Sequence, residues 1–418
     1  MPWPRSAVET AGRDLSWAAQ TFGDSTSPDI LVVNELFPPA IGGSAVLLYE
    51  VYRRLAGRSV AVLTDEHASP GLPAGPQGSL RVVRRRIATR RWGVTSLAGD
   101  SHHLRVAWLI GRMSSLQRTI VHCGRALPEG IAAWISHGLW GPRYICWSHG
   151  EDVASAMTSR ELTHVMTRVY RSAAAVIANS HSTRKLLLGL GLPDAHVHVA
   201  HPGVDPTRFH PDVDGRDIRA ALLRGGDTLM LSVGRLQRRK GHDLAIAAMA
   251  ALKDSHPGLR YAIAGDGDER ARLERLIVEH RLADRVIMTG VIPDHLLPNY
   301  YAACDVFLMP NRQDGEDIEG FGIVFLEAAS SERPAIGGRS GGVPEAIDDG
   351  RTGLLVGGTD ASELAAVMGD LATSPAKRLE LGRAGRARVL RSFTWDHTAA
   401  KVAAIHDTAG HSGREDRD

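Results

Sequence analysis

The chain has 418 residues, 43% of them hydrophobic, and a formal net charge of +2. That length exceeds one ordinary domain and predicts two, each of about 150–200 residues and able to bury a sizeable core. The balanced charge gives no electrostatic case for nucleic acid, and no run of about 18 apolar residues marks a membrane span. Cys123, Cys146 and Cys304 lie far apart and match no disulfide or metal spacing, which fits a reducing cytoplasm. Residues 1–27 mix charges with small residues, lack an apolar leader core and read as a loose tail. From Asp29 onward, short apolar runs alternate with helical patterns. Ile30–Val33 reads as a strand and Gly43–Leu55 as a helix. Val60–Leu63, Thr119–Val121, Tyr144–Trp147 and Ala174–Ala178 follow as strands. Apolar strands alternating with helices predict a parallel sheet covered on both faces.

The pattern breaks at His201-Pro202-Gly203-Val204-Asp205-Pro206 and then restarts. Leu229–Val233, Tyr261–Ala264, Val286–Met288, Val306–Met309, Pro334–Ile336 and Leu354–Val356 read as strands. Asp243–Leu252 and Arg270–His280 read as helices. Two such series joined by a turn-rich linker predict an α/β fold of two doubly wound, Rossmann-like domains facing each other across a cleft. Sheets of this kind bind ligands beyond the carboxyl ends of their strands.

The loops at those ends carry the chemistry. Glu319-Gly320-Phe321-Gly322-Ile323-Val324-Phe325-Leu326-Glu327 brackets an apolar run with two carboxylates. A carboxylate heading for the interior needs a hydrogen-bond donor, and a donor missing from the chain would belong to a ligand. Gly320 and Gly322 allow close backbone approach where a helix begins, and a helix start suits phosphate. A core helix whose glutamate pairs with an internal Arg or Lys is the alternative. Gly234-Arg235-Leu236-Gln237-Arg238-Arg239-Lys240-Gly241 follows a strand and precedes a helix, as a diphosphate seat does. A solvated basic loop is its alternative. Gly42 and Gly43 likewise lie between a strand and a helix, but not in the dinucleotide pattern G-x-G-x-x-G. His149 follows the strand ending at Trp147, where it could donate to a sugar hydroxyl or serve a structural end. Asp266-Gly267-Asp268 formally matches a metal-holding D-x-D but reads better as a helix-capping turn, so no metal ligand is assigned. The basic stretch Arg81–Trp92 either docks on anionic lipid headgroups or forms a solvated strand and loop.

The ordered series of motifs resembles glycosyltransferase family 4, retaining transferases of the GT-B fold. It runs through Gly42-Gly43, Ser148–Asp152, Ala178–Thr183, His201–Asp205, Val233–Arg235, Lys240-Gly241, Ala264–Gly267, the E-x7-E of Glu319 and Glu327, and Gly341–Glu345. The resemblance covers about residues 29 to 408. It implies an N-terminal acceptor-side domain (28–205), a nucleotide-sugar-binding domain (206–392), a segment at 393–410 that crosses back to the first domain, and a tail at 411–418. By it, Arg235 and Lys240 neutralise the donor diphosphate after the Gly234 turn, and Glu327 binds the ribose. Glu319 and the Gly320-Phe321-Gly322 backbone with Ile323 address the donor sugar and phosphate. His149 contacts the sugar near its 6-hydroxyl, Gly42 and Gly43 approach the diphosphate, and the backbone around Ile287 meets the base. The expected catalytic set is therefore His149, Arg235, Lys240 and Glu319, with no metal and no cofactor beyond a GDP- or UDP-linked sugar.

Met309–Arg312 and Asp317–Gly320 resemble the donor loop of the mannosyltransferases that build phosphatidylinositol mannosides, while the acidic Gln313–Glu316 departs from them. The acceptor is then lipid-linked or a small glycoside, and the enzyme a monomer or homodimer in the cytoplasm, at the inner membrane face if Arg81–Trp92 docks there. Rival readings are a UDP-sugar transferase acting on a soluble acceptor, a nucleotide-sugar epimerase or hydrolase, and a non-catalytic sugar-binding protein.

Overall fold

Fully apolar strands have nowhere to go but the middle of a layered domain, and β1 (Ile30–Val33), β2 (Val60–Thr64) and β4 (Ile120–Cys123) are buried along their whole lengths. In the computed structural model, which describes residues 27–39, 42–66, 80–89, 97–115 and 118–411, they join a seven-stranded sheet. Its order is β3-β2-β1-β4-β5-β6-β7, with β3 at Arg81–Arg84, β5 at Arg143–Ser148, β6 at Ala175–Ala178 and β7 at Val197–Val199. Every pairing is parallel, with Ile30 opposite both Val60 and Ile120.

A second parallel sheet runs β10-β9-β8-β11-β12-β13. Its strands are β8 (Thr228–Val233), β9 (Leu259–Ala264), β10 (Val286–Gly290), β11 (Val306–Met309), β12 (Ala335–Gly338) and β13 (Gly353–Val356). The two sheets form the paired Rossmann-like domains of a GT-B fold. β3 opens the basic stretch as the solvated-strand alternative expected, half-charged because it lies at a sheet edge, whereas β7, only three residues long, escapes the sequence reading.

Two chain crossings lie side by side between the sheets. Val204 N–H donates to the Phe393 carbonyl at 2.9 Å, and a Cβ on Gly203 would stand 2.5 Å from Thr394 C and Trp395 N, so only glycine lets the strands of chain cross. Beyond the crossing, the helix Trp395–His411 buries Trp395, Ala399, Val402, Ile405 and Ala409 in one cluster with Ile30, Val32, Leu47, Val51 and Trp147. Among the described residues no helix is long and apolar enough to cross a membrane. The expected tails at 1–27 and 411–418 lie outside the described residues except for Ser27 and His411, as do Arg90, Arg91 and Trp92 of the basic stretch. Within that stretch Arg84 donates to the Pro38 carbonyl at 2.6 Å, and the Asp65 carboxylate accepts from Ile87 and Ala88 N–H, each at 2.8 Å.

Candidate active site

The loops after β8 and β11 and the start of helix Ile323–Ser330 converge on one carboxylate. Glu319 Oε2 accepts from Lys240 Nζ at 2.5 Å, Arg239 at 2.7 Å and Asn311 Nδ2 at 2.9 Å. Burial pushes the Glu319 carboxyl up, but the two cations overcome it and hold the group below its ordinary range. Burial in turn pulls the Lys240 ammonium down, against the opposing pull of Glu319. Arg239 is 4% exposed and also meets Asp317 at 3.0 Å and Glu151 at 3.3 Å.

A short 3-10 turn at Arg238–Lys240 decides which cation points inward. Gly241 ends that turn at φ +75°, where a Cβ would sit 2.1 Å from the Pro310 carbonyl, so the loop requires glycine there. The sequence reading paired Lys240 with Arg235. The structure puts Arg239 beside Lys240 and leaves Arg235 two-thirds exposed, 3.6 Å from Glu151. Three neighbouring cations look alike in a sequence, so Arg239 carried no separate signal. Asn311, just past β11, carried only its place in the Met309–Arg312 loop.

Glu327 lies on the next helix in a different setting. Its carboxylate accepts from the Tyr301 hydroxyl at 2.7 Å. The donor expected for this carboxylate is thus supplied by the chain, and it is a tyrosine hydroxyl rather than the Arg or Lys of the alternative reading. Burial pushes the Glu327 carboxyl up to about 7, with the Tyr301 hydrogen bond opposing it. Tyr301 was missed because its helix, Leu297–Ala303, reads as plain core. The one available signal is that a buried tyrosine hydroxyl needs a partner.

Across the cleft, His149 extends from the end of β5. Its Nε2 lies 2.8 Å from the Gly124 carbonyl, which can only accept, so Nε2 carries a proton and donates it there. The ring stacks on Trp147 at 6.3 Å, and the backbone N–H is held by Asp152 at 2.9 Å. Gly320 meets the same loop, and a Cβ there would stand 2.1 Å from the His149 carbonyl oxygen. The backbone of Glu319–Gly320 is therefore pressed against His149 from the other domain.

Two helix starts also face each other. Gly42 caps the helix Gly43–Tyr52, Gly322 (φ +90°) caps Ile323–Ser330, and a Cβ on Gly43 would lie 4.0 Å from Ile323 Cδ1. Free N–H groups of both helices thus open on one space between the domains, a setting for an anion. Gly234 turns the chain out of β8 and its N–H donates to the Ala264 carbonyl at 2.9 Å. The Phe321 ring points away from the space to pack on His201 and Phe393. Ile287 is half-buried in edge strand β10. Asp266 accepts from the next N–H in its turn at 2.9 Å and pairs with Arg270 at 3.6 Å, the behaviour of a cap.

A model of glycosyl transferases group 1 matches residues 214–388, and one of glycosyltransferase family 4 matches residues 41–208. A GDP-mannose-dependent alpha-(1-6)-phosphatidylinositol monomannoside mannosyltransferase of Mycobacterium tuberculosis is 31% identical over 382 residues, 90% of this chain and 97% of that one. The chain belongs to glycosyltransferase family 4. It is a glycosyltransferase of the GT-B fold. A D-inositol 3-phosphate glycosyltransferase of Streptomyces scabiei is 30% identical over 90% of this chain and 88% of its own. Among solved structures, sucrose-phosphate synthase from Thermosynechococcus elongatus superposes with a TM-score of 0.76 over 90% of this family 4 chain and 98% of its own, at 24% identity.

Proposed function

We propose that this transferase moves a mannosyl group from GDP-mannose to an acceptor hydroxyl with retention of configuration. The observation that carries the reading is the convergence of Lys240, Arg239 and Glu319 beside two opposed helix starts, with Glu327 further along the same segment. Negative charge grows on the departing diphosphate, and the main lever on the barrier is preorganised positive charge facing it. Lys240, Arg235 and the first N–H groups of Gly43–Tyr52 and Ile323–Ser330 supply that charge, and Arg239 reinforces it through Glu319. Glu327 accepts the ribose hydroxyls, the backbone near Ile287 meets the base, and His149 contacts the sugar near its 6-hydroxyl. Glu319 and the Gly320–Gly322 backbone orient the sugar.

Transfer breaks the bond from the anomeric carbon to the phosphate oxygen and forms one to the acceptor oxygen on the same face. The acceptor proton passes to the departing phosphate oxygen, so no protein nucleophile takes part. The preference for GDP-mannose and a lipid-linked acceptor is supported by the mycobacterial relative and by the basic stretch that begins at Arg81. A second reading, a soluble phosphorylated polyol as acceptor, is supported by the Streptomyces relative. Calorimetry of GDP-mannose, UDP-glucose and UDP-N-acetylglucosamine with EDTA present tests both. GDP-mannose binding that Glu327→Ala weakens supports the first. Preference for a UDP-sugar overturns the GDP-mannose assignment, and binding of none overturns the site.

A further inference from the structure

Outside the donor site, one side chain joins the two domains through more hydrogen bonds than its size suggests. Glu345, after β12 in the second domain, sends its carboxylate onto the first turn of helix His181–Gly189 in the first. Oε2 accepts from His181 N–H at 2.7 Å and Oε1 from Ser182 N–H at 2.8 Å. His201 Nε2, at the start of the interdomain linker, lies 2.8 Å from Oε2. Burial pushes the carboxyl up, but His201 and the two N–H groups hold it below the usual range.

His181, His201 and Glu345 lie close enough to suggest a cation site. The carboxylate, however, already faces three donors, two of them at the positive end of a nine-residue helix. That setting favours an anion over a cation. The arrangement is a clasp between domains.

The clasp is wired to the donor loop. Gly342 N–H donates to the Glu319 carbonyl at 2.9 Å, and Cβ atoms on Gly341 and Gly342 would stand 2.0 and 2.2 Å from the carbonyl oxygens of Glu319 and Gly320. Arg388 donates to the Glu345 carbonyl at 2.8 Å and lies over Phe393, whose ring packs on His201 and Phe321. Whatever seats Glu345 on the first domain therefore also seats Glu319 and Gly320 against His149.

We propose that Glu345 is a positioning residue, an interdomain clasp that holds the cleft in the register at which His149 meets Glu319 and Gly320. Its effect on turnover rests on the transferase reading above, but its effect on domain placement does not. Two variants break it from opposite sides. Glu345→Gln removes the charge. His181→Pro removes one donor at the first helical position, where proline is favoured, and the preceding Ser180 is already extended at φ −156° and ψ 161°.

Each variant is expected to lower kcat about ten- to hundredfold, the scale of one charge-assisted hydrogen bond. GDP affinity should stay within about threefold, because most of the groups that grip it (Lys240, Arg235, Glu327 and the start of helix Ile323–Ser330) lie in the second domain and only the Gly43 helix start comes from the first. The free protein's radius of gyration by small-angle X-ray scattering should rise. The double variant should lose little more than the worse single one, since both break one contact. Unchanged scattering and turnover in both variants, or losses that simply add, would overturn the clasp. Wild type that binds neither GDP nor UDP would defeat the donor reading instead, and the scattering of the ligand-free variants still decides the clasp.

Discussion

The two carboxylates of the 319–327 segment share one loop and helix yet live in opposite environments. Glu319 takes three donors, two of them cations, and stays ionised. Glu327 takes one neutral hydroxyl and holds its proton up to about pH 7. One is a fixed anion that sets the positions of Lys240 and Arg239. The other keeps lone pairs uncommitted to the protein and can trade its proton for a ligand's hydroxyls. The same residue type at two ends of a signature therefore performs two tasks, and the neighbours decide which.

The largest effect expected from breaking this contrast is at the ionised end. Glu319→Ala strands Lys240 and Arg239 as buried charges without their shared partner and should cost about 3–5 kcal/mol by denaturant unfolding, with transfer lost. A cost under about 1 kcal/mol would mean that water or Asp317 takes over the pairing. Lys240→Ala should lower kcat about 10²–10³-fold, the scale of losing one preorganised donor, while leaving most of the donor affinity. An effect confined to KM would place Lys240 outside the leaving-group site.

At the other end, Glu327→Ala should weaken donor binding about 10- to 100-fold by calorimetry with a smaller change in kcat, because its hydrogen bonds form equally in ground and transition states. The proton on Glu327 sharpens the contrast further. Its folded-state value lies above the ordinary 4.5, so its contribution to stability is fully present below about pH 4.5 and is lost as pH rises through about 7. Glu327→Gln should flatten that decline, by about 2–4 °C in Tm between pH 5 and 8, whereas a matching change in Glu319→Gln would erase the distinction. Smallest of all, Arg235→Ala should change stability by less than about 0.5 kcal/mol, since the side chain is exposed. Its kcat should fall less than that of Lys240→Ala. An equal fall would show that Arg235 bears on the departing diphosphate as strongly as Lys240 does.

Much of this site was legible in the sequence, and the reason is local. His149, Gly234, Lys240, Glu319 and Gly322 each sit where an apolar strand hands over to a helix, and a parallel sheet brings all such junctions to one edge. Glycine spacing and strand runs locate those junctions without any knowledge of packing. Which arginine joins Lys240 inside was not legible, because Arg235, Arg238 and Arg239 are the same residue type in one loop, and a single turn of 3-10 helix selects among them. Tyr301 and Asn311 were hidden for a related reason. Each lies in a segment whose pattern is fully explained by core packing, and only the fold brings its polar atom to a carboxylate.

The sequence by itself determined the two parallel sheets, the glycine turns and the set of loops that meet in the cleft, since strand burial and backbone freedom are properties of short segments. The tertiary structure alone decided which charges pair, which carboxylate keeps its proton, and that Glu345 reaches across to the first domain. Those outcomes depend on distance and on exclusion of water between residues far apart in the chain, and neither quantity is written in any local run of residues.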